Sequence, residues 1–274
     1  MKKLLMCLVM VGLGLTLMTS QALAIDSGSL IGALQIQFEN VDVAAVYTQS
    51  AINMTDNQQD SFALINVTNI NKLPNYTNVW NQGGSEKLTG ILYGLDDVSV
   101  SVGSFGPGIF TQYITSTGGY IDIYLKSTGI DSTTNDAPTL AQLQALGLTA
   151  PADQWGAVGT NDQLYLRLGI DPGTYSSTLT YNSLTGEIIG SSSAYLTVLG
   201  GSAYSLFDSN LYANGSDFYL YDSFSTVSLS SDQTKAGWTV ASGGNVLGTG
   251  VPEPASMILM GIGLFGAARL RRKA

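Results

Sequence analysis

Residues 33–39 read ALQIQFE, with Leu34, Ile36 and Phe38 on one side of an extended chain and Gln35, Gln37 and Glu39 on the other. Successive side chains of an extended backbone point to opposite faces, so strict period-two alternation marks a half-buried antiparallel strand. The pattern recurs along the chain. Val98, Val100 and Val102 alternate with Ser99 and Ser101, and Ile121, Ile123 and Leu125 alternate with Asp122, Tyr124 and Lys126. Leu164, Leu166, Leu168 and Ile170 alternate with Tyr165, Arg167 and Gly169. Residues 195–199, 218–221 and 238–240 continue the theme. Turn chemistry separates the runs at Gly83-Gly84, Gly106-Pro107-Gly108, Asp171-Pro172-Gly173 and Asn214-Gly215. The expected fold is mainly β, an antiparallel β-sandwich or jelly-roll-like body.

One segment departs from the strand pattern. Asp136 and Pro138 precede Leu140, Leu143 and Leu146 at helical spacing, and Gly147 stands where a helix ends. This predicts one short helix at about 138–146.

The ends are different in kind. Residues 1–24 carry Lys2 and Lys3, an apolar run from Leu4 to Met18, and the small-x-small triplet Ala22-Leu23-Ala24. That is the form of a cleavable signal peptide, with Ala22 and Ala24 as the signal peptidase site. Residues 25–242 form the β-rich exported domain. Residues 243–250, GGNVLGTG, hold four glycines and are expected to be a linker. Residues 251–274 are VPEPASMILMGIGLFGAARLRRKA. Flanking the body there are thus an N-terminal signal helix and a C-terminal hydrophobic helix.

Charge narrows the partners. Between residues 25 and 250 there are five basic residues (Lys72, Lys87, Lys126, Arg167, Lys235) against nineteen acidic ones, a net of −14. Such a body repels phosphate backbones, which excludes nucleic acid. Only 11% of the whole chain is charged, so hydroxyls and amides supply much of the solvated surface. The chain has no histidine, and its one cysteine, Cys7, lies in the signal segment. Ser-His-Asp and Cys-His nucleophiles and His/Cys zinc sites are therefore excluded, and no cofactor is expected.

Carboxylates remain as candidate chemistry. Asp96-Asp97 is an adjacent pair whose side chains leave a regular strand on opposite faces, and its setting after Tyr93-Gly94-Leu95 suggests a solvated turn. The loop Asp131–Asp136 offers oxygen ligands without the spacing of a calcium loop. Gly261, Gly263 and Gly266 match a dinucleotide fingerprint, but they follow no strand and lie within the C-terminal apolar run.

That run has fourteen uncharged residues, Ala255–Ala268, followed by Arg269, Arg271, Arg272 and Lys273. As a helix it reaches roughly 21 Å, short of a ~30 Å hydrocarbon core, so it is a marginal permanent anchor. The basic cluster keeps its end cytoplasmic and leaves the body outside. Pro252-Glu253-Pro254, the apolar helix and the basic cluster together resemble the PEP-CTERM sorting signal of Gram-negative bacteria. The resemblance implies recognition of Pro252, Glu253 and Pro254 by an exosortase, with Arg269, Arg271, Arg272 and Lys273 as the stop-transfer cluster. It implies transient anchoring in the inner membrane through the C-terminal helix before processing, then delivery to the cell envelope or surface. It further implies a link to exopolysaccharide, biofilm or flocculation. The expected function is a non-enzymatic surface or matrix protein with a structural or adhesive role, whose partners are signal peptidase, exosortase and extracellular polysaccharide. The alternative is a carboxylate-dependent glycoside hydrolase or lyase of the envelope.

Overall fold

The computed structural model describes residues 27–43, 46, 61–82, 87–126, 163–229, 234 and 238–252. The expected helix at 138–146, the loop 131–136, the signal segment 1–24 and residues 253–274 lie outside the described residues. Among the described residues no helix is long and apolar enough to cross a membrane.

Ten strands follow in chain order: β1 (Gly32–Val43), β2 (Ser61–Lys72), β3 (Thr77–Asn81), β4 (Lys87–Gly106), β5 (Ile109–Lys126), β6 (Gln163–Ile170), β7 (Tyr175–Asn182), β8 (Glu187–Gly200), β9 (Phe218–Ser225) and β10 (Val240–Gly250). A 3-10 turn at Ser27–Leu30 precedes them, and a single-turn helix α1 (Tyr204–Phe207) lies between β8 and β9. Every strand-to-strand pairing is antiparallel, in the ring β1-β2-β4-β5-β6-β8-β9-β10, and β10 returns to β1. The expected sandwich or jelly roll is thereby corrected: the sheet closes into one eight-position, up-and-down barrel. Period-two alternation specifies a sheet with one buried face, and a sandwich and a barrel share that property. What separates them is β1, which pairs along one edge with β2 and along the other with β10.

Strands β6 and β7 share one wall position. Residues 163–169 pair with the end of β5, and residues 175–182 pair with its beginning, both antiparallel. Asp171-Pro172-Gly173 is therefore a detour and not a reversal. Asp171 holds the detour to the neighbouring wall: its N–H donates to the Tyr195 carbonyl at 3.0 Å. Its carboxylate accepts from Thr197 Oγ1 at 2.7 Å and from Ser216 Oγ. Gly173 takes a positive φ of 73° there, where a Cβ would be strained.

The apolar faces point inward, as the sequence pattern requires. Leu34, Ile65, Ile121, Leu168, Leu196 and Leu220 belong to one buried cluster that fills the barrel. One end is closed by Leu30 together with Leu206 and Phe207 of α1, and the Phe207 ring lies 5.6 Å from that of Phe218. The exterior of β4–β6 carries a bidentate ion pair, with Arg167 Nε and Nη2 donating to buried Asp122 at 2.7 and 2.6 Å.

The glycines of 243–250 have a different role from the one expected. These residues form most of β10, paired on both edges with β1 and β9, and are not a linker. Phe38 lies directly across from Gly244, Phe218 across from Gly248, and Phe224 across from Gly190. A Cβ on Gly244 would come within 2.8 Å of Phe38 Cζ, and one on Gly248 or Gly190 would run into the facing ring. A small barrel has room for large inward rings only where the opposing position is small. Gly248→Val is expected to lower stability by about 1–3 kcal/mol, measured by denaturant unfolding. Phe218→Leu in the same chain should recover part of that loss; a linker glycine would show neither effect.

Candidate functional site

The inward face changes character along the barrel. On β1 the series Leu34, Ile36, Phe38 continues in the same phase to Asn40 and Asp42. On β9 the inward series Phe218, Leu220 continues to Asp222. On β10 Ser242 stands opposite both Asn40 and Phe224, next to Asp222. Phe38, Asn40, Asp42, Leu220 and Asp222, with Asp97, Tyr175, Ser177 and Ser192, line a cavity of about 70 Å³ at the end of the barrel away from α1, and Ser242 stands beside it. That volume is above the roughly 10–15 Å³ a cavity needs to hold a water.

Asp96 and Asp97 are not a solvated turn. Both are buried in β4, and Asp97 lines the cavity, where it accepts a 2.6 Å hydrogen bond from Ser116 Oγ. The register shift between Asp97 and Ser99 keeps Val100 facing Ile114.

Asp42 and Asp222 lie close together. Both take hydrogen bonds from the same two side chains, Asn40 and Ser242. Asn40 Nδ2 donates to Asp42 Oδ2 at 3.1 Å, and Ser242 Oγ contacts Asp42 Oδ2 at 3.5 Å and Asn40 Oδ1 more closely. Asp42 Oδ1 and Asp222 Oδ1 are buried and have no hydrogen-bond partner among the described residues. Among the described residues no basic side chain lines the cavity. Burial raises both carboxyls, Asp42 well above the usual carboxylate range, with the charge of Asp222 adding to the effect. Asp222 is pushed up to about 6, mainly by desolvation. The neighbouring Tyr175 hydroxyl is also raised, again chiefly by burial, with a hydrogen bond to Ser192 acting against it. Among the described residues no three Asp, Glu, His or Cys side chains come together as a metal cluster.

The sequence reading missed this layer, although a signal was present. Asn40, Asp42, Asp222 and Ser242 occupy positions whose phase makes them inward, and polar residues in an inward phase mark an interior polar layer.

Of the expected sorting residues only Pro252 is described, and it lies at the opposite end. Pro252 follows β10 directly and is exposed, and the Val251 N–H donates to the Leu206 carbonyl at 2.7 Å. Glu253, Pro254, Arg269, Arg271, Arg272, Lys273, Ala22 and Ala24 lie outside the described residues. Residues 250–273 match the family model of the PEP-CTERM protein-sorting motif. The chain is thus a protein bearing the PEP-CTERM sorting motif, which implies export to the cell envelope or surface and processing by an exosortase. No curated protein and no solved structure shows a significant match. Because the motif begins where β10 ends, the tail and the barrel wall adjoin without a spacer.

The raised carboxyls fix the direction of a pH effect. A group with a folded pKa above its unfolded value binds its proton more tightly when folded, so its favourable contribution is complete below about pH 4 and fades as pH rises through about 6. In chelator, Asp222→Asn should match the parent protein near pH 4 and exceed it by about 2–3 kcal/mol at pH 8. Urea unfolding across this range gives the difference directly. A constant or reversed difference contradicts the assignment.

Proposed function

We propose that the protein is an exported, non-enzymatic barrel with a structural or adhesive role at the surface or in the matrix of a Gram-negative cell, linked to exopolysaccharide. The observation that carries this reading is the filled interior. A cavity of about 70 Å³ is far below the roughly 300–1,000 Å³ of sites that enclose small molecules. Contact with a polymer then falls to the outer wall. That wall presents Ser176, Thr178, Ser191 and Ser193 on β7 and β8, with Tyr113 and Tyr221 about half exposed on neighbouring strands. Hydroxyls and aromatic faces suit uncharged or weakly charged sugar chains, and the acidic body disfavours polyanions.

Delivery rests on the sorting motif. Release from the inner membrane would need exosortase to act within a residue or two of folded barrel. Removing residues 251–274 should abolish surface display, followed with an antibody against the body, and reduce cell aggregation. Unchanged display and aggregation would contradict the proposal.

The pair Asp42 and Asp222 is the one observation that favours the hydrolase or lyase reading, since glycoside hydrolysis needs two carboxylates. Against it stands their enclosure within the wall. Incubation with the host's own exopolysaccharide should release no reducing ends; release abolished by Asp222→Asn would establish the enzymatic alternative.

A further inference from the structure

We propose that the mouth of the barrel binds one divalent cation of the calcium class, held by Asp42 and Asp222 with Asn40 Oδ1 and Ser242 Oγ as neutral oxygen ligands. Three adjacent strands bring these groups together, with Asp42 and Asp222 staggered to either side of the Asn40–Ser242 pair. Asn40 on β1 stands opposite Ser242 on β10, and Asp222 on β9 stands opposite Gly244, two residues further along β10. Asp42 lies two residues beyond Asn40 and so shares its inward face. Gly244 contributes by its size, because a Cβ there would come within 2.9 Å of Asp222 Cα.

Donor supply shows why a cation fits. Asn40 offers two amide hydrogens, Ser242 one hydroxyl hydrogen and Ser223 its backbone N–H to two carboxylates with four oxygens. Two of those oxygens, Asp42 Oδ1 and Asp222 Oδ1, are buried without a partner among the described residues, and Asp222 itself is 6% exposed. A buried carboxylate oxygen left unsatisfied is costly, and two nearby buried carboxylates repel each other. A divalent cation answers both problems, neutralising the pair and drawing on oxygens that have no hydrogen to accept. The adjoining cavity leaves space for the waters that complete six to eight ligands.

The ligand chemistry selects the ion. All four side chains are hard oxygen donors, and the body has neither histidine nor cysteine to favour zinc or copper. Ligands carried on three separate strands do not impose the tight octahedron that magnesium demands. None of the four proposed ligands belongs to the acidic segment 131–136 of the sequence.

The full exported protein, stripped with chelator and dialysed at pH 7.5, is titrated with calcium chloride up to 10 mM. Thermal unfolding and radioactive-calcium equilibrium dialysis are followed in parallel. The expected result is binding at this site in the range about 0.1–1 mM, typical of extracellular modules, with a midpoint that rises by several degrees at saturation. Asp222→Asn and Asp42→Asn should each lose the thermal shift and one bound ion, while a chain with Asp131→Asn and Asp136→Asn keeps both. Asp222→Asn removes a buried charge, so that variant should fold without calcium. Absence of bound calcium in the parent, or an unchanged ion count and shift in the Asp42→Asn, Asp222→Asn double variant, would overturn the proposal.

Discussion

The structure depends on the two-sided pairing of β1. Its residues 32–42 pair with β10 and its residues 34–43 pair with β2, so the first and last strands of the body meet and no edge remains there. An open eight-position meander would expose unpaired N–H and C=O groups along both outer strands. Closure satisfies those groups and forces the inward faces to share one narrow interior. The Phe38–Gly244 and Phe218–Gly248 pairs follow from that confinement, because neighbouring inward positions cannot both be large.

Much of the wall was legible from alternation alone. Leu34, Ile36 and Phe38 face inward as expected, as do Ile121, Ile123, Leu166 and Leu168. Closure was not legible, because which strands meet is a long-range choice and the alternation of a strand is the same in a sandwich. The glycine-rich segment 243–250 was misread for a physical reason. Glycine both loosens an unpaired chain and permits close approach in a paired one, and only the facing phenylalanines decide between the two. Asp171-Pro172-Gly173 was correctly marked as a turn, yet the polar contacts of Asp171 make it a bulge in a continuing wall position.

The two ends of the barrel differ in chemistry. One is packed with Leu30, Leu206 and Phe207 and gives rise to the sorting tail, which the sequence announces through residue type and order. The other carries the acidic layer. That layer escaped notice because its residues are scattered over β1, β4, β9 and β10 and form no local motif. A polar residue is conspicuous only once its phase within a strand is known, as with Asp42 after Phe38 and Asp222 after Leu220. Charge that is dilute along the sequence is concentrated in space by the register.

Amide hydrogen exchange over residues 240–250 tests closure most directly. If β10 joins β1 and β9, these amides exchange as slowly as those of residues 34–43, and both sets open together in global unfolding. Exchange of 243–250 at the rate of an unstructured chain, with 34–43 still protected, would contradict the closed barrel and restore the linker.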